Sequence, residues 1–276
     1  MAVWRISRTH AFPRSSPSRV DAARRPEEEV NLKALAGTSS QRSLITRLVL
    51  LLTLAAGWTD ALSYLNLDRV FSSFMTGNIL FVGISISQGN NALLVRAALA
   101  VAVFLIALTL GSLYLIWGSH KRTPREYRMS LARLLTVEGL LLLAFAILWQ
   151  LTGDIATHPN TQVVLLGIAA FGMGLQGALV ASFNLRNIVS VALTAVLVLL
   201  GMRLAHSLAR QTIDEPGHTS SPFLVALIVS YTLAALVTAM WVSTPFIPCV
   251  TVAVALLLVI LAPDSATAPV ASKPKP

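Results

Sequence analysis

Charge is scarce in this chain. Only 12% of its 276 residues are charged, against roughly 25% in a soluble domain. With 55% hydrophobic residues and a mean hydropathy of +0.72, too little polar surface remains to cover a water-soluble core, so a soluble globular fold is excluded. Cysteine is scarcer still. The single Cys249 rules out an intramolecular disulfide, and no Cys/His spacing of the zinc type occurs. Catalytic signatures are missing too: there is no Ser/His/Asp set, no metal-binding helix and no nucleotide loop. Neither an enzyme nor a metal or other cofactor is expected.

What is present is a series of long apolar runs. Hydrophobic segments occupy roughly residues 46–67, 70–88, 93–117, 131–151, 162–183, 187–208, 221–243 and 246–262. Most approach the ~20 residues that a helix needs to cross the hydrocarbon core. The last is marginal and is bounded by Pro245, Pro248 and Pro263, which suit helix ends. The fold class expected is an all-α integral membrane protein of six to eight helical segments. Residues 1–43, rich in Arg, Ser, Pro and Ala, read as a disordered basic tail; residues 44–263 read as the membrane domain, and 264–276 as a second disordered tail. The one sizeable interior loop expected is the basic stretch Gly118–Ser130, GSHKRTPREYRMS.

The net charge of +9 reads as topology information, with the lipid bilayer and not nucleic acid as partner. The tail through Arg47 holds nine Lys/Arg, and residues 118–133 hold five more. Eight full spans with the N-terminus inside put 14 basic residues inside and 7 outside. Making segments two and six re-entrant changes this to 19 inside and 2 outside, Arg69 and Arg96. Hydropathy opposes that assignment, because Ile188–Gly201 is apolar enough for a complete span. Both arrangements stay open, with both tails cytoplasmic in each, as does an odd number of spans in which only one of the two segments is re-entrant.

The two halves, about 44–151 and 162–262, are weakly alike. Gly57–Gly83, GWTDALSYLNLDRVFSSFMTGNILFVG, matches Gly174–Gly201, GLQGALVASFNLRNIVSVALTAVLVLLG, at Gly57/Gly174, Ala61/Ala178 and, with one insertion, Thr76/Thr194. Repeats of this kind are common in transporter folds, with sites at the repeat interface.

Several polar residues fall inside the apolar runs. Asp60 lies within segment one, where a charged side chain costs about 2.5–3.5 kcal/mol to insert. Tyr64, one turn later, is expected to share its network. Thr76-Gly77-Asn78 interrupts segment two. A break there frees backbone groups that need protein or a wet cavity, and broken helices often hold ions or solutes near the midplane. Close helix packing through Ser72, Ser73 and Gly77 is the plainer reading of the same residues. Gln176 and Thr194 are the second-half candidates. Glu138, about two turns into segment four, is a secondary candidate that reads more simply as the ion-pair partner of Arg133 or Arg128. These residues point to a transporter or channel for a small solute or ion. A non-catalytic membrane scaffold or sensor is the alternative.

Gly57-Trp58-Thr59-Asp60-Ala61, Val70-Phe71, Met75-Thr76-Gly77-Asn78 and Gly83 together resemble the signature of the YoaK-like family, and Met173-Gly174-Leu175-Gln176 resembles its second-half motif. The likeness covers roughly residues 45–262. Where that family often has Asn after the Gln, this chain has Gly177; where it often repeats Thr-Gly, this chain has Thr194-Ala195. The second half therefore lacks the Asn and the Thr-Gly glycine of that pattern. The resemblance implies a multi-pass bacterial inner-membrane protein and no established substrate or reaction.

Overall fold

Proline, glycine and capping residues punctuate the apolar runs and set the helix limits. The computed structural model describes residues 39–119, 123–183, 193–208, 220–240 and 244–262. Among these, every regular element is helical: α1 (Ser39–Asn66), α2 (Met75–Gln88), α3 (Asn91–Ser119), α4 (Pro124–Thr152), a 3-10 turn (Ile155–Thr157), α5 (Pro159–Ser182), α6 (Leu193–Leu208), α7 (Ser221–Met240) and α8 (Ile247–Leu261). Five of them, α1, α3, α4, α5 and α7, are long and apolar enough to cross a membrane. The multi-pass helical architecture is therefore as expected.

Three boundaries differ from the reading of the sequence. α1 starts at Ser39, so residues 39–43 are helical; 1–38 and 263–276 lie outside the described residues. Much of the expected basic loop is helix. Pro124 opens α4, and Thr123 and Glu126 close a reciprocal capping box, the Thr123 hydroxyl accepting from the Glu126 N–H and the Glu126 carboxylate from the Thr123 N–H. That pattern satisfies two of the four free N–H groups of a helix start. Segment two is helical only from Met75, because residues 70–74 form an irregular link with bends at Ser72 and Ser73.

The contacts fix the chain directions. Gln176 donates to the Leu52 carbonyl while Gln162 faces the Asn66 carbonyl, so α5 runs antiparallel to α1. Arg96 meets Gln162, and Phe104 and Ala107 meet Gly174, so α3 and α5 are parallel. Tyr127 meets Ser182, and Leu142 meets Gly172, so α4 opposes α5. Val252 meets Gly139, and the Ala262 carbonyl accepts from Arg128, so α8 opposes α4. Phe223 and Leu224 of α7 join the core around Leu48 and Leu52, while Ala234 and Val237 join the core around Leu62 and Val70. α7 thus runs with α1.

One consequence is a matched pair of detours. α1 leaves and α3 starts at the same end of the bundle, marked by Asp68, Arg96 and Gln162, with α2 between them. α5 leaves and α7 starts at the opposite end, marked by Tyr127 and Ser182, with α6 between them. Glycine permits the two closest crossings. A Cβ on Gly57 would lie 2.6 Å from the Tyr231 carbonyl oxygen on α7, and one on Gly174 would lie 2.5 Å from the Phe104 carbonyl oxygen on α3. Small residues let backbones approach in this way where lipid gives no hydrophobic drive between helices.

Candidate functional site

The link between α1 and α2 begins with a forced reversal. Asp68 and Arg69 both have left-handed backbone, with φ of 59° and 61°, an uncommon conformation for residues bearing a Cβ. Asp68 is held by an ion pair to Arg96 on α3, and Arg96 in turn donates to Gln162 on α5 at 3.1 Å. Beyond the reversal Val70 is fully buried, and the chain passes back along α1 to the level of Asp60. Asp60 lies six residues from the end of α1, a depth of about 9 Å at helical rise.

Asp60 is buried and closed on all sides. One carboxyl oxygen accepts from the Ser72 N–H at 2.8 Å, the Ser73 N–H at 2.6 Å and the Ser72 hydroxyl at 3.0 Å. The other accepts from the Ser73 hydroxyl at 2.6 Å and the Tyr231 hydroxyl of α7 at 2.8 Å. A second clamp comes from Asn78 in the first turn of α2. The Asn78 amide donates to the Phe71 carbonyl at 2.7 Å and its oxygen accepts the Phe71 N–H at 3.0 Å. These bonds replace the backbone partners that a helix would have supplied, which is the requirement for irregular backbone inside a membrane protein.

The expected site residues therefore divide. Asp60 and Asn78 are brought together through residues 71–73. Gly77 lies beneath the Phe74 and Phe71 rings, where a Cβ would be 2.6 Å from Phe74. Thr76 is beside them but exposed. Tyr64 does not join the Asp60 network; it is 36% exposed and stacks on Phe71 with ring centroids 4.9 Å apart. Gln176 is buried and bonds the Leu52 carbonyl at 2.8 Å, so it ties α5 to α1 elsewhere. Thr194 is exposed near the start of α6, and residues 184–192, which lead into that helix, lie outside the described residues. Glu138 does not pair with arginine. Arg133 is exposed, Arg128 reaches the Ala262 carbonyl, and both Glu138 carboxyl oxygens are buried without a hydrogen-bond partner. It stands at the middle of α4 because the helix begins at Pro124, well before the apolar run.

Tyr231 was missed by reading the sequence, and so were the two serines as ligands of Asp60. Tyr231 is 171 residues from Asp60, and no local spacing connects them. The Trp58 indole N–H and the Ser63 hydroxyl, both near Asp60 on α1, are buried without a partner. No group of three or more His, Cys, Asp or Glu among the described residues is placed to hold a metal.

Residues 48–262 match the family described as protein of unknown function, DUF1275. The chain belongs to the DUF1275 family. It is also 27% identical over 153 residues to the UPF0700 transmembrane protein YoaK of Bacillus subtilis (strain 168), a match covering 55% of this chain and 64% of that protein. The matched part therefore spans less than two thirds of this relative's length. No solved structure matches. This DUF1275 chain is thus a multi-pass membrane protein of the same family as YoaK, as the motif around Asp60 implied.

Proposed function

We propose that the protein transports a small cation or neutral polar solute, using two inverted halves whose second elements, α2 and α6, are re-entrant. The observation that carries this reading is the link at residues 70–74, folded back to Asp60 inside the bundle. α2, with 14 residues, is about 21 Å long; what separates it from the similarly short α8 is that α1 ends and α3 begins at one end of the bundle. The matched detours at opposite ends support the inverted relation, as do the equivalent crossings at Gly57 and Gly174. Two sets of three spans around one broken element also agree with the charge bias that favours re-entrant segments.

The chemistry of the link narrows the solute. The N-terminus of α2 carries the positive end of its dipole, and such ends commonly face an anionic substrate. Here the acidic side chain of Asp60 already occupies that place, bonded to the Ser72 and Ser73 N–H groups. An anion would meet a filled site. Buried polar groups without partners, Trp58 and Ser63, are the groups that a solute or water satisfies, and the exposed Thr76 hydroxyl stands at the start of α2. Asp60 then serves to position the re-entrant link.

The test is solute flux into proteoliposomes, screened over monovalent cations and small neutral polar solutes. The expected result is protein-dependent uptake of one of these that is lost in Asp60→Ala and reduced in Ser63→Ala. Equal leak in empty and protein-bearing vesicles across the screen would sink the transport reading.

A further inference from the structure

Glu138 is the second acid in the bundle, and nothing in the account of Asp60 employs it. It stands fourteen residues from Pro124 and fourteen from Thr152, so about 21 Å of helix separates it from either end. It is fully buried, and neither carboxyl oxygen has a hydrogen-bond partner. Its layer is fixed by its neighbours. Gly139 meets Val252 of α8, and α5 passes α4 antiparallel between the Leu142–Gly172 and Tyr127–Ser182 contacts. Gln176 falls in that stretch of α5. Its amide nitrogen is used by the Leu52 carbonyl, and its amide oxygen is buried without a partner.

This stretch contains three buried acceptor oxygens without partners, two on Glu138 and one on Gln176. Charged groups that could neutralise an acid are absent from α5 and α8, and those on the other helices around it are exposed or bonded elsewhere. α5 carries no titratable side chain and α8 only Cys249. On α1 the titratable groups are Arg42 and Arg47 near its start, Tyr64, and Asp60, which is closed by its own donors. On α3 they are Arg96, bonded at the far end, and Tyr114. Tyr231, the titratable group of α7, bonds Asp60. On α4 itself, Glu126 is in the capping box, Tyr127 bonds Ser182, Arg128 reaches Ala262, and Arg125 and Arg133 are exposed. An unpaired ionised carboxylate in such a place is very costly, and a neutral group that can donate is far less so. One proton on Glu138 would add a donor to this stretch of the bundle.

We propose that Glu138 is a proton-binding site at the middle of the bundle, with the Gln176 amide oxygen as the acceptor for the bound proton. Binding and release of that proton is a titration of one carboxyl, with water outside the bundle as source and sink. If the transport reading holds, Glu138 is the group through which pH enters the cycle; the proton site itself does not depend on that reading.

The test uses the full chain in liposomes, with difference infrared spectroscopy between neutral and alkaline pH and labelling by the apolar reagent dicyclohexylcarbodiimide. That reagent adds to a protonated carboxyl in apolar surroundings, and mass spectrometry locates the adduct. The expected result is a carboxylic-acid carbonyl band that disappears in Glu138→Gln, persists in Asp60→Asn, and moves to higher frequency in Gln176→Leu as its hydrogen bond is lost. The adduct is expected on Glu138 and not on Asp60. Labelling of the wild-type chain needs no variant, so a misfolded Glu138→Gln does not weaken the test. A band unaltered in well-folded Glu138→Gln, or carbodiimide modification on Asp60 alone, would overturn the proposal. The band and adduct without any protein-dependent solute flux would support the proton site and remove the transport reading.

Discussion

Two acids lie inside this membrane bundle, and their surroundings are opposite. Asp60 sits near one end with five donors on two oxygens, drawn from the link at residues 72–73 and from α7. Glu138 sits at mid-span with none. Burial alone therefore does not assign a role to an intramembrane acid. A carboxyl group that closes every bond around it holds backbone in place, and its removal leaves several donors without acceptors. A carboxyl group with no partner contributes nothing to packing that an apolar side chain would not supply.

The largest effect that separates them is stability. Asp60→Ala strands two N–H groups and three hydroxyls in the interior, and each buried donor left alone costs about 1–3 kcal/mol. After relaxation of the link, a loss of roughly 3 kcal/mol or more is expected, read as a lower unfolding midpoint in detergent together with protease cleavage at residues 70–74. Gly174→Ala comes next. Its Cβ would fall 2.5 Å from the Phe104 carbonyl oxygen and 2.7 Å from the Ala107 Cβ, and such overpacking costs about 1–3 kcal/mol; thermal unfolding checks it. Tyr231→Phe removes one donor of five and should cost about 1 kcal/mol, with cysteine reactivity introduced at Ser72 rising modestly. Glu138→Gln should be the mildest, within about 1 kcal/mol of wild type by the same unfolding assay. Equal losses for Asp60→Ala and Glu138→Gln would erase the distinction between the two acids.

Much of this bundle was legible in the sequence, and the gaps have physical causes. Apolar runs of span length located α1, α3, α4, α5 and α7, and an acid within one of them marked Asp60. The start of α4 was also legible, since Thr123-Pro124 with Glu126 spells a capping box; the net positive charge of the stretch concealed it. Asn78 was singled out within Thr76-Gly77-Asn78, yet its partner is the backbone of Phe71, which no side-chain pattern announces. Tyr231 could not be paired with Asp60, because that contact depends on how α7 crosses α1 at Gly57. Glu138 was read beside arginines on its own helix. Their side chains go elsewhere, one to the end of α8 and one outward, and only the three-dimensional packing exposes the acid as solitary.

The account rests most heavily on α2 being re-entrant, and two accessible positions test it directly. Arg69 precedes the link, Asn90 follows α2, and both are exposed. In a Cys249→Ser background, which leaves no other cysteine, single cysteines at 69 and 90 would be labelled with a membrane-impermeant thiol reagent in oriented vesicles, with the exposed Arg125 as the marker of the opposite face. The account predicts labelling of positions 69 and 90 from one side and 125 from the other. Labelling of 69 and 90 from opposite sides would make residues 70–88 a full span and would contradict it.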